Sequence, residues 1–115
     1  MSFSTIDTRC LAAVVLAGAL IVPSVGFATD YEIRTSRTNF ESATQVVRVG
    51  DTITWVRDDP VLHEIDFVGD PTGVEGKPLY RRLEHKPVTI TAGIPGLHRY
   101  ACKWHGLFGF LEILP

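Results

Sequence analysis

Residue types able to do chemistry at close range concentrate in the stretch Cys102-Lys103-Trp104-His105-Gly106. Two residues between a cysteine and a histidine let a turn bring a thiolate sulfur and an imidazole nitrogen onto one metal ion. A third candidate, His63, lies well upstream, just after Asp58-Asp59-Pro60. One thiolate and two imidazoles form the ligand set of a mononuclear electron-transfer copper centre. The same set can hold zinc with a water in the fourth position, and a Cys–His pair can serve as nucleophile and base. A zinc hydrolase needs a general base near its water, yet alternation along a strand turns Glu64 away from His63. As a nucleophile pair, Cys102 and His105 are constrained within one short loop, and no oxyanion-hole pattern accompanies them. His98 reads as a packing residue and His85 as a solvated one.

The cysteine is notable for its compartment. Leu11 to Val22 is an apolar run without a charge. It is too short to span a bilayer, which takes about 20 apolar residues, and it suits the core of a secretory signal. Pro23, Ser24 and Gly26 break it, and Gly26-Phe27-Ala28 places small residues where a signal peptidase inspects them, so cleavage is expected after Ala28. The basic flank is thin, Arg9 alone, and a retained anchor is the alternative. Residues 1–28 are therefore expected to be a signal, and 29–115 one mature domain. Cys10 leaves with the signal, and Cys102 is left alone in an exported, oxidising setting where it has no internal disulfide partner. Such a thiol must be buried, metal-bound, paired with another chain or reactive.

The elements that must position these residues read as short strands. The chain has 115 residues, 45% hydrophobic and 21% charged, which suits one domain with one core. Lys+Arg 11 against Asp+Glu 13 leaves no excess positive charge for phosphates, so nucleic acid is not an expected partner. Apolar residues alternate or form short runs at 31–35, 45–49, 52–57, 62–68, 88–91, 97–102 and 109–114, with turn chemistry between them. Residues 69–86 read as a long loop with a short strand around 79–83. Seven to eight such strands predict an all-β fold, an antiparallel sandwich or barrel. Ile53 and Trp55 share one face. So do His98, Tyr100 and Cys102, which point inward.

Two stretches carry a family resemblance. The segment from Thr52 through Trp55, Asp58-Asp59-Pro60 and His63 resembles the strand, turn and histidine of the plastocyanin and amicyanin group of cupredoxins. Pro95-Gly96-Leu97-His98-Arg99-Tyr100-Ala101-Cys102-Lys103-Trp104-His105 is similar to their second motif, and the likeness runs from about Val46 to Leu114. The resemblance implies a Greek-key β-sandwich holding one copper ion near one end, with His63, Cys102 and His105 in the positions of the equatorial ligands. It also implies a backbone N–H of Glu64 donating to the Cys102 sulfur, and His105 as electron portal. The expected function is exported, periplasmic-type transport of single electrons between transient redox partners. The expected protein is monomeric and not an enzyme. A copper carrier or a metal-free interaction domain are the alternatives.

The family's axial methionine is missing: the only methionine is Met1. By spacing Leu107 takes that position, with Phe108 and Phe110 as rivals, and none offers a lone pair. Losing the donor should favour the cuprous ion and raise the reduction potential. Trp104 is expected to cover the site from water. Gly106, Leu107 and Phe108 are candidates for an apolar docking patch around His105, and Lys77, Arg81, Arg82 and Lys86 for attraction of an acidic partner.

Overall fold

The computed structural model describes residues 27–115. The expected signal segment falls outside the described residues, apart from Phe27 and Ala28, which are exposed. Eight strands follow: β1 Asp30–Thr35, β2 Thr44–Arg48, β3 Thr52–Arg57, β4 His63–Phe67, β5 Tyr80–Leu83, β6 Val88–Thr91, β7 Gly96–Cys102 and β8 Leu107–Leu114. A single 3₁₀ turn, Lys103–His105, separates β7 from β8. β3 and β6 begin and end where alternation places them. β8 starts two residues earlier than its sequence pattern suggests, because its ladder with β7 runs down to the pair Cys102 and Leu107.

The strands form a sandwich of a three-stranded sheet, ordered β1-β3-β6, and a five-stranded sheet, ordered β2-β8-β7-β4-β5. It is not wholly antiparallel. β1 pairs with β3, and β2 with β8, in parallel. The chain crosses from one sheet to the other between β1 and β2 and crosses back before β3, so β3 returns beside β1 in the same direction. The remaining pairings are antiparallel.

Inward faces of both sheets supply the core. Ile33, Val47, Ile53, Trp55, Ile65, Leu79, Leu83, Leu111 and Ile113 are buried there. Full burial of such a side chain contributes about 1.5–3 kcal/mol. Trp55 meets Tyr100 edge-on at 5.3 Å and Phe67 at 6.0 Å, and Phe40 meets Tyr100 at 4.8 Å. Burial pushes the Tyr100 phenol up to about 12. Tyr100 faces Gly109 across the β7–β8 ladder. A Cβ at Gly109 would lie 2.4 Å from the Tyr100 ring, so only glycine lets this aromatic lie flat against β8.

Candidate metal centre

β4 and β7 run antiparallel through Asp66↔Ala101 and Phe67↔Tyr100. Each step back along β4 is therefore a step forward along β7, and His63 arrives level with the turn that follows Cys102. Topology alone thus brings the start of one strand to the end of another. His63, Cys102 and His105 converge here, with one donor atom from each lying within 4.8 Å of the others. The two imidazole centroids are 4.8 Å apart. Cys102 Sγ lies 3.4 Å from His105 Nδ1. His63 and Cys102 are fully buried, and His105 is half-buried.

The chemistry of the donors fits a thiophilic, imidazole-binding ion. His63 Nε2 lies 2.8 Å from Asp59 Oδ1, while His63 Nδ1 is buried with no hydrogen-bond partner among the described residues. An orphaned buried nitrogen is costly unless something binds its lone pair. A soft thiolate and two imidazoles suit copper, and also zinc. Glu64, the acid next to His63 in sequence, is already engaged elsewhere. Glu64 Oε1 accepts the backbone N–H of Lys103 at 2.9 Å, and Glu64 Oε2 accepts the Tyr80 hydroxyl at 2.9 Å. Both oxygens are committed on the far side of β4 from His63. Burial and this bond to Glu64 raise the Tyr80 phenol above its ordinary value.

Sequence reasoning expected the backbone of Glu64 to serve the Cys102 sulfur. What the structure shows is its side chain acting on the loop: a buried carboxylate fastens the first residue of the 3₁₀ turn. Asp66 adds a second tie, an ion pair with Lys103 Nζ at 2.9 Å that holds the lysine's pKa above its ordinary value. Gly106 closes the turn in the left-handed region, with φ of 65°, and its N–H reaches the Lys103 carbonyl.

The residues beyond this turn sort by face. Leu107 is paired with Cys102, so both point inward, and Leu107 packs against the core. Phe108 and Phe110, its rivals for the axial position, alternate to the outer surface of the five-stranded sheet, where the Arg99 guanidinium lies 4.8 Å from the Phe108 ring centroid. Of the docking candidates, Gly106 and Phe108 are exposed and Leu107 is half-buried. Trp104 is half-exposed beside Arg82, with 5.7 Å from guanidinium to ring centre. His98 is half-buried, its Nε2 2.8 Å from the Ile94 carbonyl oxygen, and His85 is exposed. Lys77, Arg82 and Lys86 are exposed, whereas Arg81 is half-buried and paired with Glu75 at 2.7 Å.

Sequence reasoning missed Asp59. Its carboxylate accepts His63 Nε2 and the Val61 N–H through Oδ1, the latter at 3.2 Å, and the Arg37 N–H through Oδ2 at 3.0 Å. Desolvation works to raise its pKa, but the bonds from His63, Val61 and Arg37 prevail and hold it below the usual carboxylate range. The available signal was the Asp-Pro turn itself, since an aspartate there commonly bonds the backbone two residues on.

Among solved structures, an oxidised methionine-to-lysine mutant of amicyanin matches with a TM-score of 0.64 at 22% identity, covering 74% of this chain and 82% of that chain. An oxidised proline-to-glycine mutant of amicyanin matches with a TM-score of 0.62 at 25% identity, over the same shares of the two chains. No protein-family model matches the chain, and no curated protein sequence does. The eight strands in two sheets of the described residues match amicyanin in arrangement, and the chain has the cupredoxin fold.

Proposed function

We propose that this protein is an exported carrier of single electrons that holds one copper ion between His63, Cys102 and His105. The observation that carries the reading is the convergence of one buried thiol and two imidazoles, one of them with a buried and unpartnered nitrogen, at the end of a cupredoxin sandwich. Copper bound there supplies a couple that passes one electron at a time. The chain's part is to keep the donors fixed. His63 comes from a core strand, and Cys102 ends another. His105 is set by a turn closed at Gly106 and tied through Glu64 and Asp66. Donors held this firmly rearrange little when charge changes. The half-buried ring of His105, beside exposed Trp104 and Gly106, is the path to a transient redox partner.

Leu107 lies in the axial position in this reading. An alkyl group there gives no lone pair, which favours the reduced ion and raises the potential. Leu107→Met is expected to lower it, as measured by protein-film voltammetry; an unchanged or higher potential removes Leu107 from that role.

The function is tested by adding cupric ion to the purified 29–115 domain. An intense visible thiolate-to-copper band, absent in Cys102→Ala, is expected, together with rapid reversible reduction at an electrode. A thiol that stays freely titratable in the presence of cupric ion overturns the proposal. Zinc retention without such a band would point to the other metal.

A further inference from the structure

Asp59 is committed to a histidine of the centre. Three donors converge on it: His63 Nε2 at 2.8 Å, the Val61 N–H at 3.2 Å and the Arg37 N–H at 3.0 Å. The neighbouring Asp58 is pinned to Arg34 of β1 at 2.7 Å, and the Asp58 N–H reaches the Thr35 carbonyl, so the whole turn is fastened to the adjacent strand. An ionised carboxylate can only accept. The nitrogen facing it must therefore carry the proton, and the other nitrogen of a neutral ring is left bare. That other nitrogen is Nδ1, buried and without a partner.

We propose that Asp59 is the positioning residue of the metal centre: it holds His63 as the Nε2–H tautomer, presents a bare Nδ1 to the ion, and biases the centre toward its more highly charged state. The inference rests on the metal-binding reading above. A second-sphere carboxylate fixes ring orientation and raises the basicity of the ligating nitrogen. The Asp59 side chain is only 18% exposed, so solvent screens its charge incompletely. Its effect on the potential opposes that of Leu107. Leu107 would offer the ion no lone pair, whereas Asp59 would strengthen donation through the His63 ring.

Two variants separate orientation from charge. In Asp59→Asn the amide oxygen still accepts from Nε2–H, but the negative charge is gone. In Asp59→Leu both are gone. ¹⁵N NMR of the metal-free protein reads the ring directly, and wild type and Asp59→Asn are expected to show His63 protonated at Nε2. Asp59→Leu is expected to lose that single tautomer and to bind cupric ion about 10–100-fold more weakly. Asp59→Asn is expected to keep the visible band and to shift to a higher reduction potential, and Asp59→Glu to recover part of the wild-type value.

Wild-type tautomer and affinity in Asp59→Leu would overturn the orienting role. A wild-type potential in Asp59→Asn would overturn the electrostatic one. If Asp59→Leu does not fold, the tautomer and potential of Asp59→Asn decide. If the wild-type domain takes up no copper, the function proposed above fails, while the NMR of the metal-free ring still decides whether Asp59 sets the tautomer.

Discussion

β4 is flanked by two turns built from the same dipeptide, Asp59-Pro60 before it and Asp70-Pro71 after it. In both, the aspartate accepts the N–H two residues on: Val61 to Asp59 at 3.2 Å and Thr72 to Asp70 at 2.9 Å. The remaining acceptor capacity goes to different ends. Asp70 takes the Thr72 hydroxyl at 2.6 Å and the Glu75 N–H at 2.8 Å, and so closes a loop upon itself. Asp59 takes a strand-distant N–H from Arg37 and the imidazole of His63. One turn is finished by its own backbone, while the other is finished by an imidazole of the candidate metal site. The same local chemistry closes a loop in one place and reaches a candidate ligand in the other, and the difference lies in what the sandwich brings within reach.

The largest expected break in this comparison is in copper binding. Asp59→Leu is expected to weaken it about 10–100-fold, whereas Asp70→Ala is expected to leave affinity, band and potential unchanged while lowering thermal stability. Competitive titration against a copper chelator, paired with thermal melts of the metal-free proteins, measures both. Equal copper affinities in the two variants would erase the distinction between the turns.

Glu64 sharpens the contrast from the other side of β4. It is buried, and it satisfies the Lys103 N–H and the Tyr80 hydroxyl. Glu64→Ala removes the acceptor of both part-buried bonds, at a cost of about 0.5–1.5 kcal/mol in stability for each hydrogen bond lost. Denaturant unfolding of the metal-free domain reads that loss. A broadened visible band in the copper form would show that the loop bearing His105 has loosened. Stability equal to wild type would mean that water replaces the carboxylate.

How much of this was legible in the chain differs between the two turns. Alternation fixed the facing of Trp55, Tyr100 and Cys102, because one buried face imposes a period of two. The approach of His63 to Cys102 was legible as two motifs at strand ends. The parallel pairings of β1 with β3 and of β2 with β8 were not, since a strand's pattern records which side is buried and not which neighbour it joins. Both Asp-Pro turns could be read as turns. That Asp59 lands on an imidazole depends on β4 starting where the turn ends and on Arg37 arriving from a loop of the other sheet. Glu64 was placed on the correct face, but its burial depends on Tyr80 and Lys103 closing over it, and neither contact leaves a trace in the local sequence.

Acid offers a smaller test of the same pair. The bonds from Thr72, Glu75 and Gly73 overcome desolvation and lower the Asp70 pKa from 3.8 to about 2. A folded value below the unfolded one means that Asp70 stabilises the fold above pH 3.8, and that this contribution disappears as pH falls toward about 2. Asp70→Asn should therefore flatten the stability-against-pH curve of the metal-free domain in that window. A curve parallel to wild type would show that the loop around Asp70 has the same proton affinity folded and unfolded.

The two prolines give the smallest and most discriminating difference. Each fixes φ in its turn and limits the unfolded chain, so replacement by alanine costs about 0.4–1 kcal/mol where the native conformation is otherwise kept. Pro60 is exposed, while Pro71 is buried, and the Pro71 carbonyl accepts the N–H groups of Gly93 and Ile94 at 2.9 and 3.0 Å. Pro71→Ala loses buried apolar surface as well as stiffness, so denaturant unfolding should find it the more destabilised. In copper affinity the order should reverse. Pro60→Ala gives Asp59 more freedom to leave His63, whereas Pro71→Ala slackens a loop that touches no ligand. The larger stability loss and the larger affinity loss would then fall on different turns, which a general weakening of the fold would not produce.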